Sequence, residues 1–266
     1  MIRHGWELGD DEIAFRYSQE ARLRQYDLNP VHSLIERALR YVQSQQQLSR
    51  QGVNLVDIGC GTGVLLERLR RIFPGWDLRG YDPGIPENIE EQPRDRNPLL
   101  RYGSIYGLLA ESASVDVVIL SEVVEHLNRP KQGLDEVRRI LKPDGVAIIS
   151  MPNGSAFPGW KLWARLLPFE WATKRLLPAE HPNRTWQPID TLYEYDEILE
   201  LMTACELEIL RIETAQYLPP LLHSAPFFGR IYRKFDVDRL ARKVLKHRSA
   251  YRLVLVTQKR TSLQPD

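Results

Sequence analysis

The chain has 266 residues, and its 36 basic and 35 acidic side chains leave a formal net charge of +1. This near balance excludes a global electrostatic attraction to nucleic acid or to an anionic membrane. Hydrophobic residues make up 43% of the chain and charged residues 27%, which is typical of a packed globular protein and excludes a disordered or fibrous one.

The two cysteines of the sequence, Cys60 and Cys205, form no Cys-x-x-Cys motif. This usage fits a reducing compartment and excludes a zinc site built from cysteines. Residues 1–11 carry charged side chains before any apolar run, unlike a secretory signal. No stretch approaches the roughly 18 apolar residues of a membrane-spanning helix. We therefore predict a cytoplasmic protein.

The N-terminal part of the chain has a helical pattern over residues 11–47. The pattern is interrupted at Asn29 and Pro30, because proline disfavours helical geometry in the residue before it. We predict an N-terminal helical cap over residues 1–50.

The central part alternates short β-branched runs with helical patterns, from residue 53 to residue 150. This alternation predicts an α/β fold with a mostly parallel sheet and helices on both faces, and we assign residues 51–154 to this core. The predicted strands are 53–58, 77–82, 115–120 and 145–150, and the predicted helices are 64–73 and 131–141.

Residues 155–182 form a predicted helical insert. Its part 155–178 is amphipathic, aromatic and basic, which fits either a peripheral contact with a membrane, a roof over an apolar pocket, or a plain packed layer. Residues 183–266 are predicted to complete the core with strands at 207–217 and 251–256. Between these strands, residues 230–248 hold eight lysines and arginines, which we interpret as a solvated helix face rather than a nucleic-acid site.

A glycine-rich loop follows the first predicted strand, in Val-Asp-Ile-Gly-Cys-Gly-Thr-Gly at residues 56–63. Glycines let a backbone approach a ligand closely at the carboxyl edge of a parallel sheet. A dinucleotide fingerprint needs glycine or alanine at position 64, where this chain has Val64, so the spacing argues against a pyrophosphate. Asp82 ends the next predicted strand, where a carboxylate can accept both hydroxyls of a ribose. A tight turn without a ligand is the disfavoured alternative.

This glycine loop, with Asp57 before it, resembles the S-adenosylmethionine loop of class I methyltransferases. The resemblance covers residues 53–153, and it implies a Rossmann-like fold with a C-terminal antiparallel strand. It also implies S-adenosylmethionine as cofactor, with its amino-acid end near Asp57. Ser104 stands where family members commonly carry an acidic residue for the adenine. The implied cofactor-binding residues are Asp57, Gly59, Cys60, Gly61, Gly63, Asp82, Pro83, Ser104, Ile105, Ser121 and Glu122.

The segment Ser-Glu-Val-Val-Glu-His-Leu at residues 121–127 follows the strand at 115–120. In a helical turn, Glu122, Glu125 and His126 would share one face. The segment resembles ubiquinone-biosynthesis O-methyltransferases and small-RNA 3′-terminal 2′-O-methyltransferases. That resemblance implies a divalent metal such as Mg²⁺ on these three residues, with His181 as the later histidine.

Methyl transfer from a sulfonium needs the acceptor oxygen close to the methyl group and at least partly deprotonated. His126, beside Glu125, is a candidate base because imidazole titrates near neutral pH. A metal would act by lowering the pKa of the hydroxyl. Metal binding, metal-free base catalysis, and a purely structural role all stay open at this point.

Our functional prediction is an S-adenosylmethionine-dependent methyltransferase that O-methylates a small, apolar or lipid-like hydroxyl compound. The turn Met-Pro-Asn at residues 151–153 is expected beside this acceptor. The alternatives are a metal-assisted RNA 2′-O-methyltransferase that uses His181, and a non-catalytic module that binds S-adenosylmethionine.

Overall fold

The computed structural model describes residues 30–45, 51–85, 99–156, 191–217 and 237–260. In chain order the elements are α1 (Pro30–Ser44), β1 (Asn54–Ile58), α2 (Val64–Ile72), β2 (Asp77–Asp82), β3 (Leu100–Tyr102), β4 (Val115–Ser121), α3 (Pro130–Ile140), β5 (Leu141–Pro152), α4 (Tyr195–Ala204), β6 (Leu207–Ala215), α5 (Val237–Val244) and β7 (Arg252–Lys259).

A seven-stranded sheet in the order β3-β2-β1-β4-β5-β7-β6 forms the centre of the fold. The pairs β2–β3, β1–β2, β1–β4 and β4–β5 are parallel. Strand β7 runs antiparallel to both of its neighbours, β5 and β6. The predictions of a mostly parallel sheet and of a C-terminal antiparallel strand are therefore confirmed.

The two faces of the sheet bury two separate apolar cores. On one face, α1 and α2 pack against the sheet through residues such as Ile35, Leu39 and Leu66, each fully buried. On the other face, α3 and α4 pack through residues such as Leu134 and Ile198. Burial of this apolar surface supplies the main driving force for the fold. Helix α1 is thus a packed layer on one face of the sheet.

The sequence Lys-Pro-Asp-Gly at residues 142–145 is typical of a turn, but β5 begins at Leu141 and continues through it. The pairing with β4 shifts register here, from Val115 opposite Leu141 to Val117 opposite Val146. The proline and glycine of this segment are thus accommodated in a bulge within the strand. The sequence analysis also missed α4 and the short edge strand β3.

The strand order fixes where a ligand can bind. Parallel strands that share an edge bring their carboxyl ends together, and open α/β sheets place their sites there. Strand β7 begins at this same edge, since Arg252 lies opposite Pro152, the last residue of β5. Across the described ranges, no helix is long and apolar enough to cross a membrane. The insert at 157–182 and the basic residues 230–236 lie outside the described residues.

Candidate active site

The glycine loop after β1 has a left-handed backbone at its three glycines, with φ of 74° at Gly59, 54° at Gly61 and 80° at Gly63. Residues with a Cβ rarely adopt such angles. A Cβ built on Gly59 would lie 2.5 Å from Cγ2 of Val123, whereas a Cβ built on Gly61 would meet no atom within 4 Å. Gly59 is therefore required by packing, and Gly61 faces open space that a ligand can enter.

The loop is fixed to the end of β2 by backbone hydrogen bonds. The N–H groups of Gly59 and Cys60 donate to the carbonyl of Tyr81, at 2.7 Å and 3.2 Å. Helix α2 begins directly after Gly63, so its first N–H groups also point toward the loop. This geometry places the predicted residues of the loop next to the tip of the neighbouring strand.

Asp57 lies beneath the loop on β1 and is 1% exposed. Its Oδ1 has no hydrogen-bond partner among the residues that the structure describes. Burial, and secondarily the charge of Asp82, raise the pKa of Asp57 to about 8. Burial also raises the pKa of the Cys60 thiol. A buried carboxylate of this kind is stabilised in its charged form only by a donor or a cation, such as an ammonium group.

Asp82 ends β2 and accepts two backbone hydrogen bonds. Its Oδ2 accepts the N–H of Gly61 at 2.9 Å, and its Oδ1 accepts the N–H of Gly84 at 2.7 Å. Each carboxylate oxygen keeps acceptor capacity for a further hydrogen bond. Burial raises the pKa of Asp82, and the two backbone hydrogen bonds oppose that rise. Pro83 follows in the same turn, half-buried.

Ser104 and Ile105 follow β3 at the same edge, since Tyr102 at the end of β3 lies opposite Asp82. The hydroxyl of Ser104 accepts the N–H of Tyr106 at 3.3 Å, and Ile105 is buried in the core. The loop after β3 thus lies beside the tip of β2, where the sequence analysis expected the adenine.

Ser121 ends β4 opposite Ser150 of β5, and Glu122 follows with a left-handed φ of 58°. The N–H of Glu122 donates to Oγ of Ser150 at 2.9 Å, and this hydroxyl donates back to Oε1 of Glu122 at 3.0 Å. Oε2 of Glu122 forms an ion pair with Arg252. Glu122 therefore does not lie on a helix, so the helical turn in which Glu122, Glu125 and His126 would share one face is not formed at Glu122.

Glu125 and His126 lie on a 3-10 helix over Val124–His126. Glu125 is 2% exposed, and its Oε1 lies 4.0 Å from Nε2 of His126, whose side chain is 16% exposed. The chain returns to this turn after the insert, because the N–H of Thr191 donates to the carbonyl of Glu125 at 2.8 Å.

The predicted metal ligands do not converge in this structure. Within the described ranges, no three His, Cys, Asp or Glu side chains are arranged to hold a metal ion. Glu122 has a left-handed backbone, and its carboxylate forms an ion pair with Arg252. His181, the fourth predicted ligand, lies outside the described residues.

Asn153, in the turn after β5, is 1% exposed and fully engaged within the protein. Its Nδ2 donates to the carbonyls of Arg248 and Ala250, both at 2.9 Å, and its Oδ1 accepts the N–H of Ser155 at 2.9 Å. This side chain therefore fixes the segment that leads into β7, which in turn places Arg252. No signal in the sequence singled out Arg252, because its partner Glu122 is distant along the chain.

Comparison with known proteins gives one consistent family. A family model described as a methyltransferase domain matches residues 23–209. The ubiquinone biosynthesis O-methyltransferase of Roseobacter denitrificans is 35% identical over 107 residues, which are 39% of this chain and 42% of that protein. The protein of that name from Cereibacter sphaeroides is 30% identical over 181 residues, 62% of this chain and 70% of that one. The chain thus spans less than half of the Roseobacter relative.

A solved structure with the same fold is the 1,6-didemethyltoxoflavin-N1-methyltransferase of Burkholderia thailandensis, with bound 1,6-didemethyltoxoflavin and S-adenosylhomocysteine. It is 15% identical to this chain with a TM-score of 0.51, and the match covers 86% of this chain and 80% of that one. At this identity the likeness concerns the fold alone. It confirms the prediction of a Rossmann-like class I methyltransferase architecture.

Proposed function

The chain belongs to the methyltransferase-domain family and is an S-adenosylmethionine-dependent methyltransferase, and we propose that it methylates a hydroxyl oxygen of a small, apolar or lipid-like acceptor. The oxygen as the methylated atom is supported by the relatives, which are named O-methyltransferases. The observation that carries the proposal is the pair of carboxylates around the open glycine loop, the buried Asp57 and the partly exposed Asp82.

The residues at this edge fit S-adenosylmethionine, which supplies a methyl group activated by a sulfonium. We assign the two oxygens of Asp82 to the ribose hydroxyls, because each retains acceptor capacity. We assign Oδ1 of Asp57 to the neighbourhood of the ammonium, because this buried oxygen lacks a partner among the described residues. Open space at Gly61 gives the ligand access to the backbone. The further proposed contacts are Gly59, Cys60, Gly63, Pro83, Ser104, Ile105, Ser121 and Glu122.

On the acceptor side we assign His126 as the base, positioned by the buried Glu125 beside it. A lone pair of the acceptor oxygen forms the new bond to the methyl carbon, and the electron pair of the broken carbon–sulfur bond stays on the sulfur. The hydroxyl proton passes to the imidazole of His126. The protein contributes mainly by aligning the two reactants and by removing this proton.

The acceptor is proposed to be a small molecule rather than a nucleic acid, since the chain carries a net charge of only +1. Both cysteines are free thiols, which supports a reducing compartment such as the cytoplasm. We also propose a peripheral membrane contact through residues 155–178, of which residues 157–178 lie outside the described ones.

Two measurements test the proposal. Calorimetric titration with S-adenosylhomocysteine is expected to show a loss of affinity of about 100-fold for Asp82→Asn, since charged hydrogen bonds contribute roughly 1.5–3 kcal/mol each. Asp77→Asn is the matched control, because Asp77 is exposed at the opposite end of the same strand. Unchanged affinity of Asp82→Asn would contradict the assignment to the ribose.

The second measurement identifies the acceptor. The protein is incubated with S-adenosylmethionine labelled in its methyl group and with fractionated cell extract, and the labelled product is analysed by mass spectrometry. We expect an O-methyl ether or ester of an apolar compound. Label found on nitrogen, on carbon, or in RNA overturns the proposed acceptor class while leaving the cofactor assignment intact.

A further inference from the structure

The backbone at Glu122 adopts a conformation that its residue type disfavours. Glu122 follows the last residue of β4 with φ of 58°, in the left-handed region. Such a conformation persists in a residue with a side chain only where its surroundings determine it, and it is most common at functional sites. The contacts of Glu122 therefore indicate what this part of the site is built to hold.

Two neighbouring strands determine the conformation of Glu122. Ser150 of β5 exchanges two hydrogen bonds with it, one to its N–H and one to Oε1. Arg252, the first residue of β7, forms an ion pair with Oε2. The guanidinium of Arg252 also lies 4.9 Å from the ring centroid of Tyr251. Both carboxylate oxygens of Glu122 are thus engaged by the protein itself.

An arginine at this position is a permanent positive charge, because guanidinium does not deprotonate in proteins. Arg252 lies at the carboxyl edge of the sheet and forms an ion pair with Glu122. The same carboxylate would have to ligate a metal that Glu122, Glu125 and His126 shared. A second cation on this carboxylate would face charge repulsion from Arg252 at short range.

We propose that Arg252 is the resident cation of the acceptor site, and that it takes the place of a divalent metal at Glu122. The inference rests on the proposed function, since it concerns the acceptor side of the same edge. Arg252 is a positioning residue: it holds the Glu122 carboxylate at the end of β4. Methyl transfer by this chain then proceeds without a metal on Glu122.

Titration of the full chain with MnCl2, and separately with MgCl2, tests the proposal without any acceptor. We expect no saturable binding to the wild-type protein. Arg252→Gln removes the positive charge and is expected to show saturable Mn²⁺ binding, at concentrations at which the wild type shows none. Adding Glu122→Gln to this variant is expected to remove this binding. Arg252→Lys keeps the charge and is expected to behave as the wild type.

Arg248→Gln is the matched control, because Arg248 lies on the neighbouring segment and pairs with the exposed Asp196. Saturable Mn²⁺ binding by the wild type that is lost in Glu122→Gln or His126→Ala overturns the proposal, and so does an Arg252→Gln variant that gains no affinity. If Arg252→Gln fails to fold, Mn²⁺ titration of the wild type and of Glu122→Gln still tests the proposal. Binding of S-adenosylhomocysteine to the wild type is measured in parallel. A wild-type protein that does not bind it would contradict the proposed function instead.

Discussion

The backbone N–H of Gly61 donates a hydrogen bond of 2.9 Å to Oδ2 of Asp82, so the loop after β1 and the tip of β2 form one unit. The carbonyl of Tyr81, one residue before Asp82, accepts two further N–H groups of the loop. The carboxylate therefore orders the loop with one set of lone pairs and faces the site with the other. Substitutions in the loop can separate these two roles.

Gly61→Ala is expected to weaken cofactor binding more than folding. The added Cβ meets no atom within 4 Å, so the folded state bears only the cost of a left-handed alanine, about 1–2 kcal/mol. The same Cβ occupies space that the ligand needs. We expect the S-adenosylhomocysteine affinity to fall by at least about tenfold in calorimetry, while chemical denaturation shows a small loss of stability.

Gly59→Ala is the counterpart of that variant in the same loop. Its Cβ would lie 2.5 Å from Cγ2 of Val123, which adds overpacking of about 1–3 kcal/mol to the same backbone cost. We expect Gly59→Ala to be clearly less stable than Gly61→Ala in urea denaturation. Equal stability of the two variants would show that Val123 moves aside freely.

The buried Asp57 predicts an unusual pH dependence of stability. Its pKa is raised from 3.8 to about 8, by burial first and by Asp82 second, so the folded protein holds a proton that the unfolded chain releases. The contribution of Asp57 to stability is then greatest below about pH 4 and falls as the pH rises from about 4 to about 8, by up to about 1.4 kcal/mol per pH unit. Asp57→Asn is expected to flatten this slope, as measured by urea denaturation at several pH values without cofactor.

Cofactor binding is expected to act on the same proton. An ammonium near Asp57 favours the ionised carboxylate, so binding below pH 8 releases the proton and tightens as the pH rises toward 8. Calorimetry of S-adenosylhomocysteine in buffers of different ionisation enthalpy measures this release. The charge of Asp82 raises the pKa of Asp57, and the charge of Asp57 raises the pKa of Cys60. Loss of the proton release in Asp57→Asn distinguishes the contribution of Asp57 from those of Asp82 and Cys60. Equal release in wild type and variant would assign the proton elsewhere.

The sequence predicted the elements whose pattern is local. Strand β2 has the predicted bounds, and α2 and α3 agree to within one residue, because their apolar periodicity and their flanking turns are strong signals. Strand β3 was missed because it has only three residues at the edge of the sheet. The register shift in β5 was missed because proline and glycine in sequence predict a turn, whereas the strand continues on both sides of residues 142–145, which the pairing with β4 skips.

In the site, too, the features that depend on local sequence were predicted and those that depend on distant residues were not. The glycine loop and Asp82 were found from spacing along the chain, and the structure brings them together. The left-handed backbone at Glu122 could not be predicted, because it is imposed by Ser150 and Arg252 from two other strands. An ion pair between distant residues leaves no periodic signal in one sequence. The sequence therefore identified the residues of the segment 121–127, but not the backbone conformation that separates Glu122 from the 3-10 helix over Val124–His126.

Glu213 on β6 is a buried carboxylate between two arginines. We expect its substitution to lower the free energy of unfolding. It is 7% exposed, and it accepts hydrogen bonds from Arg37 and Arg211, both at 2.7 Å. Glu213→Gln is expected to cost about 1–3 kcal/mol in urea denaturation, tempered because the arginines are partly exposed and can rehydrate. Glu208→Gln, an exposed change on the same strand, is the control and is expected to be near neutral.

His126→Ala is expected to separate catalysis from cofactor binding. If the imidazole of His126 takes the proton of the acceptor hydroxyl, its removal lowers turnover by about 100- to 10,000-fold. S-adenosylhomocysteine affinity stays close to that of the wild type, since His126 is not among the proposed cofactor contacts, of which only Ser121 and Glu122 lie at the end of β4. Turnover is measured with the acceptor that the labelling experiment identifies, and His247→Ala, at an exposed position, is the matched control. Unchanged turnover would remove His126 from the proton transfer, and a parallel loss of cofactor affinity would mean that the 3-10 turn supports the whole edge rather than the acceptor alone.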